Sequence, residues 1–253
     1  MSYVGQAAVL VSFPIAAGAI GSAAAAVRRP GPELVSAIQH FAAGVVIAAL
    51  AGELLPDLRH EGNLGWAVAG FSAGVALVLS LAAYGRRLDA KQTTAPENDA
   101  PPAGGFLALV PLGFLVTVAI DLLIDGVLIG LGVRLGSTQG SILTIALTLE
   151  ILFLTLSLAA ELTDRGLTSR QASAICIGLS LSTGVGAITA AVLLGGVGTA
   201  VLAFVLAFGA AALLYLAVEE LLVEAHEERE TALLSAMFFA GFLAIYILGE
   251  LGG

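Results

Sequence analysis

Charged residues are scarce in this sequence: Asp, Glu, Lys and Arg make up 11% of its 253 residues, against about a quarter in a soluble globular domain. Lysine occurs once, at Lys91, and the net charge is −9. This balance argues against binding to nucleic acid, which requires clustered positive charge. Cysteine also occurs once, at Cys176, which excludes an internal disulfide and a thiolate metal cluster.

Apolar residues are abundant instead, at 58% of the chain, and they form long uncharged runs. A helix needs about 20 apolar residues to cross the hydrocarbon core of a bilayer. By this criterion the sequence predicts an all-α, polytopic membrane protein with eight transmembrane helices in a single domain, residues 1–253. The predicted spans are 4–27, 34–55, 63–84, 106–134, 140–161, 170–194, 198–222 and 231–250.

The basic residues predict the topology, because cytoplasmic loops carry an excess of Lys and Arg. The loops that follow odd-numbered spans hold Arg28, Arg29, Arg86, Arg87, Lys91, Arg165, Arg170 and Arg229, whereas the opposite side holds Arg59 and Arg134. Both termini are therefore expected outside. The polar, proline-rich segment 86–105 is expected to be a flexible cytoplasmic loop between the third and fourth helices.

Three carboxylates lie near the centres of predicted spans. Asp121 and Asp125 are four residues apart and so share one face of the fourth helix, and Glu150 lies near the middle of the fifth. Each charge costs about 2.5–3.5 kcal/mol on membrane insertion, and no Lys or Arg occupies the centre of a predicted span. The three acids are therefore expected either to bind a divalent cation or to hold protons and hydrogen-bond between helices.

Further polar residues are predicted to line a pathway through the bundle. Thr117, Ser157 and Glu161 share faces with the three acids on the fourth and fifth helices. Near the ends of the second and seventh helices are Glu53, Glu219, Glu220 and His40. His40 has an alternative interpretation as a packing residue, which is the more common role of a lone histidine.

Two segments resemble the Zrt/Irt-like (ZIP) family of metal-ion transporters. In the second helix, His40–Val46 is followed by the closing signature Glu53-Leu54-Leu55-Pro56-Asp57. In the seventh, Leu206–Ala210 is followed by Tyr215–Leu222. The resemblance extends over nearly the whole chain and implies eight spans, outward termini and a variable cytoplasmic loop after the third helix.

The metal-site motifs depart from the family pattern. The fourth helix of the family usually reads His-Asn-x-Pro-Glu-Gly, and the aligned residues here are Asp121-Leu122-Leu123-Ile124-Asp125-Gly126. Glu150 aligns with the first ligand of the fifth helix, but Phe153 replaces its proline and Leu154 its later glutamate. Thr183 aligns with a glutamate of the sixth helix. The resemblance therefore implies one altered cation site at Asp121, Asp125 and Glu150, and a second metal position that is lost.

These observations predict transport of a divalent cation of the zinc, iron or manganese class through a multi-pass protein of the cell membrane. The metal is expected as a substrate, with no permanently bound cofactor, and the lipid bilayer as the surroundings; a homodimer is a possible assembly. The alternative is a non-transporting or sensor-like relative. An enzyme is not expected, because two acids four residues apart on one helix cannot flank a scissile bond and no His-Glu-x-x-His motif occurs.

Overall fold

The computed structural model describes residues 2–27, 31–60, 63–93, 110–226 and 231–252. Within these residues, 8 helices are long and apolar enough to cross a membrane, which confirms the predicted all-α, eight-span architecture. The helices are α1 (Tyr3–Val27), α2 (Pro32–His60), α3 (Leu64–Thr93), α4 (Leu112–Leu135), α5 (Ser137–Asp164), α6 (Ser169–Leu193), α7 (Thr199–Tyr215, Leu216–Leu221 and Leu222–Ala225) and α8 (Ala232–Gly252). The orientation of the termini stays a prediction.

The helices pack as two bundles. In the first bundle, α1, α4, α5 and α6 contact one another; in the second, α2 packs against α8 and α7, and α7 packs against α3. The bundles meet where α2 contacts α5 and where α4 contacts α3 and α7. Helices α4 and α5 are therefore neighbours, as a site shared between them requires.

Glycines allow the backbones of α4 and α6 to come very close. A Cβ atom at Gly126 of α4 would lie 2.0 Å from the carbonyl oxygen of Thr183, and one at Gly186 of α6 would lie 2.1 Å from the carbonyl oxygen of Leu123. Small residues at helix contacts serve this purpose in membrane proteins. The contact fixes α6 against the segment of α4 that carries Asp125.

Helices α2 and α7 each contain a π-helical segment. In α2 it spans Leu50–Leu54 and includes Glu53; in α7 it spans Leu216–Leu221 and includes both Glu219 and Glu220. A π-helical turn inserts a residue and so rotates the side chains that follow, and such turns are frequent at functional sites. By contrast, α4 is an uninterrupted α-helix, in line with the absence of proline between Leu112 and Leu135.

Helix α3 is longer than the apolar run that predicted it. It continues to Thr93, so residues 86–93 of the predicted cytoplasmic loop are helical, while residues 94–105 lie outside the described residues. Its last turns contain Leu, Ala, Lys and Gln, which favour helix even where a segment is too polar for the membrane. Helix α4 begins at Leu112, directly after Pro111, and residues 106–109 of the predicted fourth span lie outside the described residues.

Candidate metal centre

The three predicted carboxylates converge between α4 and α5. One carboxylate oxygen from each of Asp121, Asp125 and Glu150 lies within 4.8 Å of the other two. Asp125 and Glu150 are each 1% exposed, and Asp121 is half-buried. The cluster is thus deeply buried on one side and accessible through Asp121 on the other.

Several oxygen atoms of this cluster have no hydrogen-bond partner among the described residues. They are Oδ2 of Asp125 and both carboxylate oxygens of Glu150. Removing an ionised carboxylate from water without a partner costs several kcal/mol, so such groups in proteins normally neutralise or bind a cation. Acceptor oxygens converging in a buried space are the ligand set that hard divalent cations prefer.

Helix α6 packs against the segment of α4 that carries Asp125, and Thr183 lies at this contact. This residue is fully buried, and its backbone carbonyl lies against Gly126, the residue that follows Asp125. Its hydroxyl has no hydrogen-bond partner among the described residues. Leu154, at the other altered position, packs in an apolar cluster with Val118 and Ile151 and supplies no ligand.

A fourth carboxylate acts on the cluster from the second bundle. Glu220, in the π-helical segment of α7, interacts electrostatically with Asp121, Asp125 and Glu150. Glu219, its neighbour in the chain, is exposed. The sequence placed both acids near the end of α7. Consecutive residues of a helix point in different directions, so Glu220 can act on the cluster while Glu219 is exposed.

Two of the predicted pathway hydroxyls lie outside the cluster. The hydroxyl of Thr117 donates a hydrogen bond to the carbonyl of Gly113 at 3.1 Å, and it lies at the α3–α4 contact beside Gly85. Ser157 is half-buried on α5. Neither residue belongs to the group of converging ligands.

Glu53 and Glu161 also lie apart from the three acids. Glu161 accepts a hydrogen bond from the Arg165 guanidinium at 2.8 Å and its side chain is 44% exposed, as is typical of an ion pair at a helix end. The Glu53 carboxylate lies beside Gly249 of α8, in a groove between α2 and α8. Neither acid is directed towards the converging carboxylates.

His40 is buried at 3% exposure near the start of α2, where it contacts the ring of His226. Sequence reasoning identified His40 as a candidate ligand but missed this partner. The two residues are far apart in the chain, so only the packing of α2 against α7 brings them together.

Comparison with known protein families identifies the family of this chain. The family model described as "ZIP Zinc transporter" matches residues 88–249, which is more than half of the chain. The chain belongs to the ZIP family. This confirms the resemblance inferred from the sequence, and it supports transport of a metal ion as the general activity of this multi-pass membrane protein. A search of curated proteins found no matching relative.

The matched region of this ZIP protein includes all three converging carboxylates and Thr183. The candidate metal centre therefore lies inside the segment that shows the family relationship.

Proposed function

We propose that this ZIP protein carries a divalent cation of the zinc, iron or manganese class across the cell membrane, with Asp121, Asp125 and Glu150 as its ligands. The observation that carries the proposal is the convergence of three carboxylates from two helices within 4.8 Å, with both Glu150 oxygens lacking a hydrogen-bond partner among the described residues. A passing cation would satisfy these oxygens.

Charge balance favours a cation over an empty, ionised cluster. Two carboxylates about 4.8 Å apart repel by about 3–4 kcal/mol at an effective dielectric constant near 20. Helix α4 has no basic residue before Arg134, and α5 has none, so neither helix supplies a neutralising charge near the cluster. A divalent cation removes most of this repulsion, and protons replace it when the cation leaves.

The ligand chemistry bears on which cation is carried. The cluster contains no histidine and no cysteine, the residues that Zn²⁺ most often selects. Oxygen ligands suit Mn²⁺ and Fe²⁺ at least as well. We therefore expect Mn²⁺ and Fe²⁺ to compete effectively with Zn²⁺ for this protein.

The two-bundle arrangement suggests how the ion would cross. The three candidate ligands belong to α4 and α5, which are members of one bundle with α1 and α6, while α2, α3, α7 and α8 form the other. Movement of one bundle against the other would open the site alternately to the two sides, as in many secondary transporters. The three ligands would keep their positions relative to one another while the site is exposed first to one side of the membrane and then to the other.

Uptake into lipid vesicles containing the purified protein tests this proposal. Zn²⁺, Mn²⁺, Fe²⁺ and Cd²⁺ would be offered to the unsubstituted protein, to Asp121→Asn and to Asp125→Asn, with empty vesicles as the blank. We expect saturable uptake of at least one ion and its loss in both variants. Uptake no faster than in empty vesicles, for every ion and with correctly folded protein, would instead favour the non-transporting, sensor-like alternative.

A further inference from the structure

Glycines at helix contacts within a bundle lie against the backbone of the neighbouring helix. A Cβ atom built on Gly44 of α2 would lie 2.0 Å from the carbonyl oxygen of Phe238 on α8, and one on Gly70 of α3 would lie 2.1 Å from that of Phe204 on α7. The contact of α4 with α6 is of the same kind. Backbone atoms cannot rotate aside, so each of these helix pairs is expected to move as one body.

Gly209 of α7, by contrast, lies against a side chain of the other bundle. A Cβ atom built on Gly209 would lie 2.2 Å from Cδ2, 3.0 Å from Cγ and 3.2 Å from Cδ1 of Leu128 on α4. These are the three atoms nearest to that Cβ position, and all belong to one side chain. Leu128 is 1% exposed and Gly209 is buried. The Leu128 side chain therefore fills the space that a side chain at position 209 would take.

Leucines on both sides of Gly209 limit movement of Leu128 along α7. Leu206 lies three residues before Gly209 and Leu213 four residues after it, so both share its helix face. Both are buried and belong with Leu128 to one apolar cluster. A displacement of α4 along α7 by one turn, about 5.4 Å, would bring Leu206 or Leu213 to the position of Gly209. The contact therefore favours one position of α4 on α7.

We infer that Leu128 and Gly209 form an interlock between the two bundles, which holds them in the arrangement of this structure and limits how readily one bundle moves against the other. Leu128 lies about one turn after Asp125 on α4, so a movement at this contact carries the carboxylate cluster with it. The role in transport rests on the proposed function, whereas the interlock itself does not.

An exchange of size between the two positions tests this inference. Gly209→Ala adds one carbon atom in the space that the Leu128 side chain fills, and so should displace that side chain. Leu128→Val removes one carbon atom from the facing position. The double variant Gly209→Ala/Leu128→Val therefore contains the same number of carbon atoms at the contact as the original pair, and it should restore the interlock.

Distances between the bundles would be measured by electron paramagnetic resonance on the full chain in lipid nanodiscs. Nitroxide labels would be attached to Leu193→Cys on α6 and Leu64→Cys on α3, where the original side chains are 66% and 78% exposed. The background would carry Cys176→Ala, because Cys176 is the one native cysteine. We expect one dominant distance in the labelled parent. Gly209→Ala should raise the ratio of other distances to this one by about fivefold or more, the lower end of overpacking effects, and the double variant should reverse the change.

Gly178→Ala is the matched control, since Gly178 is exposed within α6 and a Cβ atom there meets nothing within 4 Å. It should leave the distance distribution unchanged. An unchanged distribution in Gly209→Ala, or a change that the double variant does not reverse, would overturn the inference.

Leu128→Val alone decides the question if Gly209→Ala fails to fold. It loosens the contact without adding a collision, so it should also populate the other distances more than the labelled parent does, and an unchanged distribution would then overturn the inference. The measurement involves no transport, so a failure of uptake and a failure of the interlock are seen separately.

Discussion

Replacing Gly186 with alanine should force α6 away from α4 beside the carboxylate cluster. The new Cβ atom would lie 2.1 Å from the carbonyl oxygen of Leu123, and ordinary contact begins at 3.4 Å, so the backbones must separate by about 1.3 Å. The Cβ atom is attached directly to the backbone of α6 and the carbonyl oxygen is part of the backbone of α4, so neither atom can rotate away from the other. Overpacking of this kind costs about 1–3 kcal/mol.

Gly178→Ala, on the same helix, is the matched control. Gly178 is exposed and a Cβ atom there meets nothing within 4 Å, so both variants gain the same helix propensity and only Gly186→Ala acquires the collision. In thermal unfolding of the purified protein we expect Gly186→Ala to melt about 2–10 °C below Gly178→Ala. Metal-ion uptake should fall as well, because Leu123 lies two residues before Asp125. Equal melting temperatures for the two variants would refute the close backbone approach.

Three further predictions concern single side chains. Thr183→Val removes a buried hydroxyl that has no hydrogen-bond partner among the described residues. In a denaturation titration the free energy of unfolding of the metal-free protein should therefore rise by about 1 kcal/mol, and a decrease would contradict this prediction. Arg134→Gln removes charged hydrogen bonds from the guanidinium to two backbone carbonyls of the α6–α7 connection. The same titration should show a decrease of about 2 kcal/mol in the free energy of unfolding, and an unchanged midpoint would argue against these hydrogen bonds. Glu161→Gln breaks an exposed ion pair, so it should change the free energy of unfolding by less than about 1 kcal/mol and leave metal-ion uptake unaffected. A strong loss of uptake would instead indicate that Glu161 lines the transport pathway.

Much of the fold could be predicted from the sequence because apolar runs and their length determine membrane spans directly. Asp121, Asp125 and Glu150 could be grouped because helical periodicity places the two aspartates on one face and because buried charges demand an explanation. The adjacency of α4 and α5 was an assumption that the structure confirms. The end of α3 was misjudged, since hydropathy detects the apolar part of a helix and not its polar extension to Thr93.

The features that the sequence did not reveal depend on packing. The π-helical segments of α2 and α7 arise from backbone register, for which the sequence has no simple signal. The contact between His40 and His226 requires two distant helix ends to meet.

The ion pair of Glu161, by contrast, could have been predicted from the sequence. Arg165 lies four residues after Glu161, which is the spacing of an ion pair on one helix face.

Substitution of Glu150 tests the central claim most directly. The initial rate of Mn²⁺ uptake into vesicles would be compared for Glu150→Gln and for Glu33→Gln, which makes the same chemical change at an exposed position in the first turn of α2. The account predicts uptake reduced to the level of empty vesicles in Glu150→Gln and unchanged uptake in Glu33→Gln. Equal, undiminished uptake in both variants would contradict transport through the carboxylate cluster.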